Sequence, residues 1–113
     1  MKIILKDIEI KAYHGIYDIE KREGNKFSVD IELDIDAKLS AQTDNIADTL
    51  NYEDIYRIVR EEMALSVNLL ENVVYRIEKK INKEFPTAKN IRVAVAKYNP
   101  FRDGHVGRVV VMN

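Results

Sequence analysis

Apolar and polar residues alternate along four separate stretches of the chain. The alternation is clearest from residue 27 to residue 36, where most of the polar positions are acidic. Residues 3–13 and 91–97 repeat the pattern, and a valine-rich stretch at 107–112 lies near the end of the chain. Side chains two positions apart share one face of a β-strand. Each stretch therefore predicts a strand with one buried face.

Between the two strand pairs, the apolar residues recur every three or four positions, as in amphipathic helices. A first helix is predicted after Asn51, with a buried stripe formed by Tyr52, Ile55, Tyr56, Val59 and Met63. A second is predicted over residues 67–85, with apolar positions at Leu70, Val73, Val74, Ile77, Ile81 and Phe85. The short break at 65–68 makes the two helices consecutive.

The order of these elements predicts the fold class. Residues 16–26 are polar and contain the turn signal Gly24-Asn25, which favours a long hairpin connection, and residues 37–48 suit a loop or a turn of helix. The order strand, strand, helix, helix, strand, strand predicts an α+β domain over 1–113. It is a four-stranded antiparallel sheet with both helices on its apolar face. Its two open edges predict a homo-oligomer closed by edge-to-edge pairing.

Composition restricts the classes of function. The chain has 113 residues, a net charge of -1 with both signs interspersed, and no cysteine. It lacks the clustered positive charge that is typical of a nucleic-acid binder. No apolar run approaches the roughly 20 residues of a membrane span. Without cysteines or an apolar leader we expect a cytoplasmic protein, and two histidines alone argue against a metal site.

Two charged residues stand out as candidates for chemistry. Glu71 falls on the flank of the apolar stripe of the second helix, where its carboxylate can contact a ligand at the rim of the core. With Asn68 as N-cap it equally fits a capping box. Lys97 falls on the same face of its strand as the apolar residues, so its ammonium would be desolvated and its pKa lowered. It also fits a lysine that extends out to solvent.

Two further residues have equally open interpretations. Tyr52 can donate a proton, or it can simply pack in the first turn of its helix. Glu20 can act on a ligand, or it can be a solvated loop charge beside Lys21 and Arg22.

In combination, short motifs spread over nearly the whole chain resemble the dihydroneopterin aldolase family, whose architecture is the T-fold or tunnelling fold. In chain order they are Tyr13-His14-Gly15 with Glu20 five residues later, Thr43-Asp44-Asn45, Ala47-Asp48-Thr49, Asn51-Tyr52, Asn68-Leu69-Leu70-Glu71, and Lys97 followed by Asn99-Pro100. The segment 101–107 departs from the family: it is more polar and about two residues shorter, which puts side-chain specificity in question.

The resemblance implies a lyase of folate biosynthesis that splits 7,8-dihydroneopterin into 6-hydroxymethyl-7,8-dihydropterin and glycolaldehyde, without metal, cofactor or Schiff base. By position, Glu71 would anchor the pterin and the backbone at Leu70 would touch its ring. Lys97 would be the general acid/base, and Tyr52 from a neighbouring subunit would assist proton transfer. Glu20 would lie near the reacting side chain.

The resemblance also implies an assembly of two stacked tetrameric rings, with strands forming an oligomeric β-barrel and active sites between subunits. Epimerisation of the same substrate would use the same groups, because the cleaved bond could reclose on the other face. Two alternatives stay open. One is a dihydroneopterin triphosphate 2'-epimerase, and the other is a non-catalytic oligomer that binds pterins or purines.

Overall fold

The chain forms one four-stranded antiparallel sheet with helices on one face, as a computed structural model of all 113 residues shows. The strands are β1 (Lys2–Ala12), β2 (Asn25–Asp34), β3 (Lys89–Tyr98) and β4 (Arg108–Met112), and they lie side by side in that order. The predicted fold class is confirmed. None of the helices combines the length and apolar character needed to cross a lipid bilayer.

The sheet register separates a core face from a helix-free face. Phe27, Val29, Ile31 and Leu33 of β2 are completely buried, and the middle two lie opposite buried valines of β3. The intervening acidic residues of β2 point to the other face, where Lys2 forms ion pairs with Glu32 and Asp34. Alternation along the sequence thus produces the two faces.

Four helices connect the strands: α1 (Asp18–Glu23), α2 (Lys38–Thr43), α3 (Tyr52–Met63) and α4 (Leu70–Glu84), with a single 3-10 turn at Ile46–Asp48. Helix α3 packs against α4 and β1, and α4 lies over β3 and β4. Helix α1 lies inside the segment predicted as a hairpin connection. Helix α2 and the 3-10 turn occupy the segment predicted as a loop or a turn of helix.

The predicted buried stripe of α3 is wrong at its two tyrosines. Tyr52 is 61% exposed and Tyr56 is 43% exposed, whereas Ile58 is completely buried. At about 100° per residue, Tyr56 lies on the flank of the stripe defined by the buried residues, and its hydroxyl accepts a hydrogen bond from Arg60 Nη1 over 3.4 Å. Tyr52 is aligned with that stripe, but it is the first residue of the helix. The apolar stripe therefore extends beyond the part of α3 that this chain's own core covers.

The capping-box interpretation of Glu71 is also wrong. Helix α4 begins at Leu70, and its N-cap is the extended residue Leu69, which provides no side-chain cap. Asn68 lies one residue too early to cap, and its Oδ1 accepts a hydrogen bond from the Lys21 amine instead. The carboxylate of Glu71 is exposed on the first turn of α4 and is not part of a reciprocal cap.

Candidate active site

A glycine turn at the end of β1 brings Glu20 into position. Gly15 has φ +148°, a region that favours glycine, and a Cβ at this position would collide with the Glu20 carboxyl group. The same carboxylate accepts the backbone N–H of Tyr17, with 3.2 Å between Tyr17 N and Glu20 Oε1. The absence of a side chain at residue 15 therefore leaves the space that the carboxylate of residue 20 occupies.

Lys97 approaches this carboxylate from the sheet. It lies on β3 between Phe27 of β2 and Val109 of β4, on the core side of the sheet. Its Nζ forms an ion pair with Glu20 Oε2, and the two side chains are only 18% and 17% exposed. The structure therefore brings together two predicted site residues that are 77 positions apart in the sequence.

Burial makes the ammonium of Lys97 a stronger acid than a surface lysine. Partial removal from water disfavours the charged form and lowers the pKa of Lys97 below its ordinary value of 10.5. The adjacent Glu20 carboxylate opposes this effect by stabilising the ammonium. A lysine with a lowered pKa beside a carboxylate is better suited to giving and taking protons than a lysine on the surface.

The ion pair lies in an open cleft of about 610 Å³, within the range of small-molecule sites. Its walls are the β1–α1 loop, Asn68 before α4, and the β3–β4 loop from Asn99 to Asp103. Arg102 and Asp103 are among the residues that line it. A bicyclic ring has room beside the ion pair.

The two loops on one side of this cleft are bonded to each other. Gly15 N–H donates to the carbonyl of Val67 over 2.9 Å, and the Ser66 hydroxyl donates to the carbonyl of Tyr13. Nearby, Lys21 donates to the side chain of Asn68. The loop that leads to Glu20 is thereby fixed to the segment that leads into α4.

The other predicted site residues do not join this cluster within one chain. Glu71 is exposed on the first turn of α4, and the half-buried Leu70 precedes it. Tyr52 starts α3, whereas Asn68 follows the other end of that helix. The twelve residues of α3 span eleven rises of about 1.5 Å, so its two ends are about 16 Å apart. The chain's own Tyr52 is therefore remote from its own cleft.

Sequence reasoning missed the part that Asn68 plays in the cleft, because its position before the helix pattern favoured a capping role. No local pattern indicates its contact with Lys21, which comes from a different part of the chain. No three His, Asp or Glu side chains cluster closely enough to hold a metal ion.

Comparisons with known proteins identify the family. The family model described as "FolB: Dihydroneopterin aldolase" matches residues 3–112. The chain is 28% identical over 111 residues to a dihydroneopterin aldolase of Bacillus subtilis, covering 97% of this chain and 92% of the relative. It is 33% identical over 104 residues to the Staphylococcus epidermidis enzyme of that name, covering 91% and 86% of the two chains.

Solved structures show the same fold. Escherichia coli dihydroneopterin aldolase in complex with neopterin superimposes with a TM-score of 0.86 at 24% identity, covering 100% of this chain and 98% of that one. A Burkholderia dihydroneopterin aldolase bound to guanine gives a TM-score of 0.77 at 15% identity, with 100% and 89% coverage. The family predicted from short motifs is confirmed by the family model and by these relatives, and the chain belongs to the dihydroneopterin aldolase family.

Proposed function

We propose that this chain cleaves 7,8-dihydroneopterin into 6-hydroxymethyl-7,8-dihydropterin and glycolaldehyde. The observation that carries the proposal is the half-buried ion pair of Lys97 and Glu20 in a cleft large enough for a pterin, in a chain of this family. Neither residue alone distinguishes catalysis from ordinary surface charge. Their contact supplies a proton donor and a proton acceptor at one point.

The chemistry needs little beyond proton transfer. Removal of the proton from the side-chain hydroxyl on C2' breaks the C1'–C2' bond and releases glycolaldehyde. The electron pair moves onto the ring's C=N bond, whose nitrogen takes up a proton. A proton then adds to C1' while that nitrogen loses its own, which restores the C=N bond and completes the hydroxymethyl product. The substrate is its own electron sink, so Lys97 only has to exchange protons.

Glu71 is the proposed anchor for the pterin. The ring presents an N–H and an exocyclic amine side by side, and a carboxylate can accept both in a two-pronged, charge-assisted geometry. Glu71 is exposed at the start of α4, three residues after the cleft-lining Asn68. Leu70, directly before it, would bring its backbone to the edge of the ring.

A second copy of the chain is proposed to complete the site with Tyr52. The chain's own tyrosine lies at the far end of α3, and it extends the apolar stripe of that helix into solvent. The outer strands β1 and β4 offer unpaired edges, with exposed apolar side chains such as Ile4, Val110 and Met112. Pairing β4 with β1 of the next copy would close a ring. We propose two stacked tetrameric rings.

This function has two variations. Epimerisation follows if glycolaldehyde adds back to the other face before it leaves. For a triphosphate substrate, the cation that lines the cleft and could balance its charge is Arg102. A binding protein without catalysis is the alternative from another class. The guanine bound by the Burkholderia relative favours it, because a purine has a similar amide and amine edge.

One assay distinguishes these functions. The protein is incubated with 7,8-dihydroneopterin and, separately, with its triphosphate, and the pterin products are separated by chromatography. We expect 6-hydroxymethyl-7,8-dihydropterin and equimolar glycolaldehyde from the free pterin. An epimer as the sole product, turnover of the triphosphate alone, or binding with no product would each contradict the proposed aldolase function.

A further inference from the structure

A buried histidine lies at the junction between the two loops that carry the site. His14 is 1% exposed, and its ring meets that of Phe27 edge-on, with 5.1 Å between ring centroids and 73° between planes. Its Nδ1 accepts the backbone N–H of Val67 over 3.2 Å. Its Nε2 is buried and has no hydrogen-bond partner within the chain. An acceptor at Nδ1 requires a neutral ring with its hydrogen on Nε2.

This hydrogen bond is the central one of three that join the same two segments. The flanking bonds run from the Ser66 hydroxyl to the Tyr13 carbonyl and from the Gly15 N–H to the Val67 carbonyl. One segment leads through Gly15 to Glu20, and the other leads through Asn68 to the start of α4. Of the three bonds, only the one at His14 depends on a group that titrates near neutral pH.

We propose that neutral His14 is a positioning residue, which holds the Glu20 loop against the start of α4 so that the proton-transfer pair and the pterin anchor share one geometry. The proposal rests on the proposed function. His14 does not touch the reacting atoms; it acts through the two loops that it joins. Protonation would replace the acceptor at Nδ1 with a donor that faces the N–H of Val67, and this would break the central bond.

The surroundings keep the ring neutral. Burial lowers the pKa of His14 below its ordinary value of 6.5, and the cations of Arg76 on α4 and Lys97 on β3 lower it further. The carboxylates nearest those cations are already engaged, Glu62 with Arg76 and Glu20 with Lys97. Phe27 of β2 offers the ring only an apolar contact. No free anion is therefore in place to stabilise an imidazolium.

The pH dependence follows from the lowered pKa. Above 6.5 the ring is neutral in both the folded and the unfolded chain, so the contribution of His14 to stability is complete. As pH falls below 6.5, the unfolded chain takes up a proton before the folded one, and stability is lost until the folded pKa is reached. In the wild type, the part of the activity that depends on neutral His14 should be lost as pH falls below 6.5.

Two amide variants test which nitrogen matters. In His14→Asn the side-chain oxygen takes the place of Nδ1 and can accept from Val67, whereas in His14→Gln the amide reaches the place of Nε2. We expect His14→Asn to keep kcat/KM within about threefold of wild type and His14→Gln to lose about tenfold or more, the effect of one lost buried acceptor. The pH profile of kcat/KM in His14→Asn should also lack the fall at acidic pH that protonation of His14 causes in the wild type. Equal losses in both variants would overturn the proposal.

A spectroscopic measurement tests the same inference without substrate. The chain has only two histidines, so a His105→Gln variant leaves His14 as the only imidazole. Its ring nitrogen shifts, followed by NMR from pH 8 to pH 5, should show hydrogen on Nε2 and none on Nδ1 at neutral pH. Hydrogen on Nδ1, or a positive ring at pH 7, would overturn the proposal. This result is independent of dihydroneopterin cleavage, so it fails or succeeds separately from the proposed function.

Discussion

Two parts of the candidate site differ in how completely a single chain builds them. Glu20 and Lys97 lie in contact, with side chains 17% and 18% exposed, on elements fixed by the sheet and by the Gly15 turn. Tyr52 is 61% exposed at the start of α3, and Glu71 is exposed at the start of α4. One pair is already desolvated, whereas the other two side chains remain in water.

This difference indicates that the two parts of the site have different roles. Proton transfer needs a tuned pKa, and partial burial within the fold lowers the pKa of Lys97 whether or not a ligand is present. Binding groups can stay solvated until a ligand and a second copy cover them. The central claim is that one chain supplies the proton-transfer pair and the next chain supplies Tyr52.

Loss of the Lys97 amine should have the largest effect. Lys97→Ala removes the proposed proton-exchanging group, so kcat should fall by about 10²- to 10⁴-fold, while pterin affinity changes far less. Steady-state kinetics and direct binding of a pterin separate the two effects. Lys89→Ala, at the exposed start of the same strand, is the matched control and should be near wild type. Near-normal kcat in Lys97→Ala would remove the acid/base role.

Loss of the Glu71 carboxylate should act on binding. Glu71→Gln removes one negative charge from two charge-assisted hydrogen bonds, and we expect pterin affinity to fall by about 100-fold. Calorimetry with neopterin measures it. Glu78→Gln is the control, because Glu78 lies two turns later on the same face of α4. Unchanged affinity in Glu71→Gln would return that residue to the role of a solvated helix charge.

A structural ion pair should affect stability without affecting chemistry. Arg76 Nε donates to Glu62 Oε2 over 3.1 Å between α4 and α3, and the Glu62 side chain is only 12% exposed. Glu62→Gln should lower the free energy of unfolding by about 1 to 2 kcal/mol, measured by urea denaturation at fixed protein concentration. Glu61→Gln, from the exposed pair with Arg57, should change it by less than about 0.5 kcal/mol. A larger effect in Glu61→Gln would contradict this ranking.

Loss of the Glu20 carboxylate should also shift the pH dependence of the reaction. Glu20→Gln removes the anion that stabilises the Lys97 ammonium, so the already lowered pKa of Lys97 should fall further. The basic limb of the kcat/KM profile should move to lower pH. Glu23→Gln, on the same short helix and also lining the cleft, should move it less. A basic limb that stays in place, or moves to higher pH, would show that Glu20 does not control the protonation of Lys97.

The sheet and the two main helices were predictable because each has a regular period over ten or more residues. The contact between Glu20 and Lys97 was not, since it depends on how β1 and β3 lie on either side of β2. The failures were at helix starts. Asn68 is a residue type typical of N-caps, but its side chain accepts a hydrogen bond from Lys21 instead. Tyr52 continues a buried stripe beyond the core of its own chain. A long-range contact decided the first case, and the limit of the chain's own core decided the second.

The most direct test mixes two variants that each lack one residue of the proposed site. Lys97→Ala and Tyr52→Ala chains are unfolded together in equal amounts, refolded, and assayed with 7,8-dihydroneopterin beside each variant treated alone. If each site takes Lys97 from one copy and Tyr52 from another, about a quarter of the sites in random assemblies hold both, and activity should return to about that fraction of wild type. Mixed assemblies that form but stay as inactive as the separate variants would contradict the account.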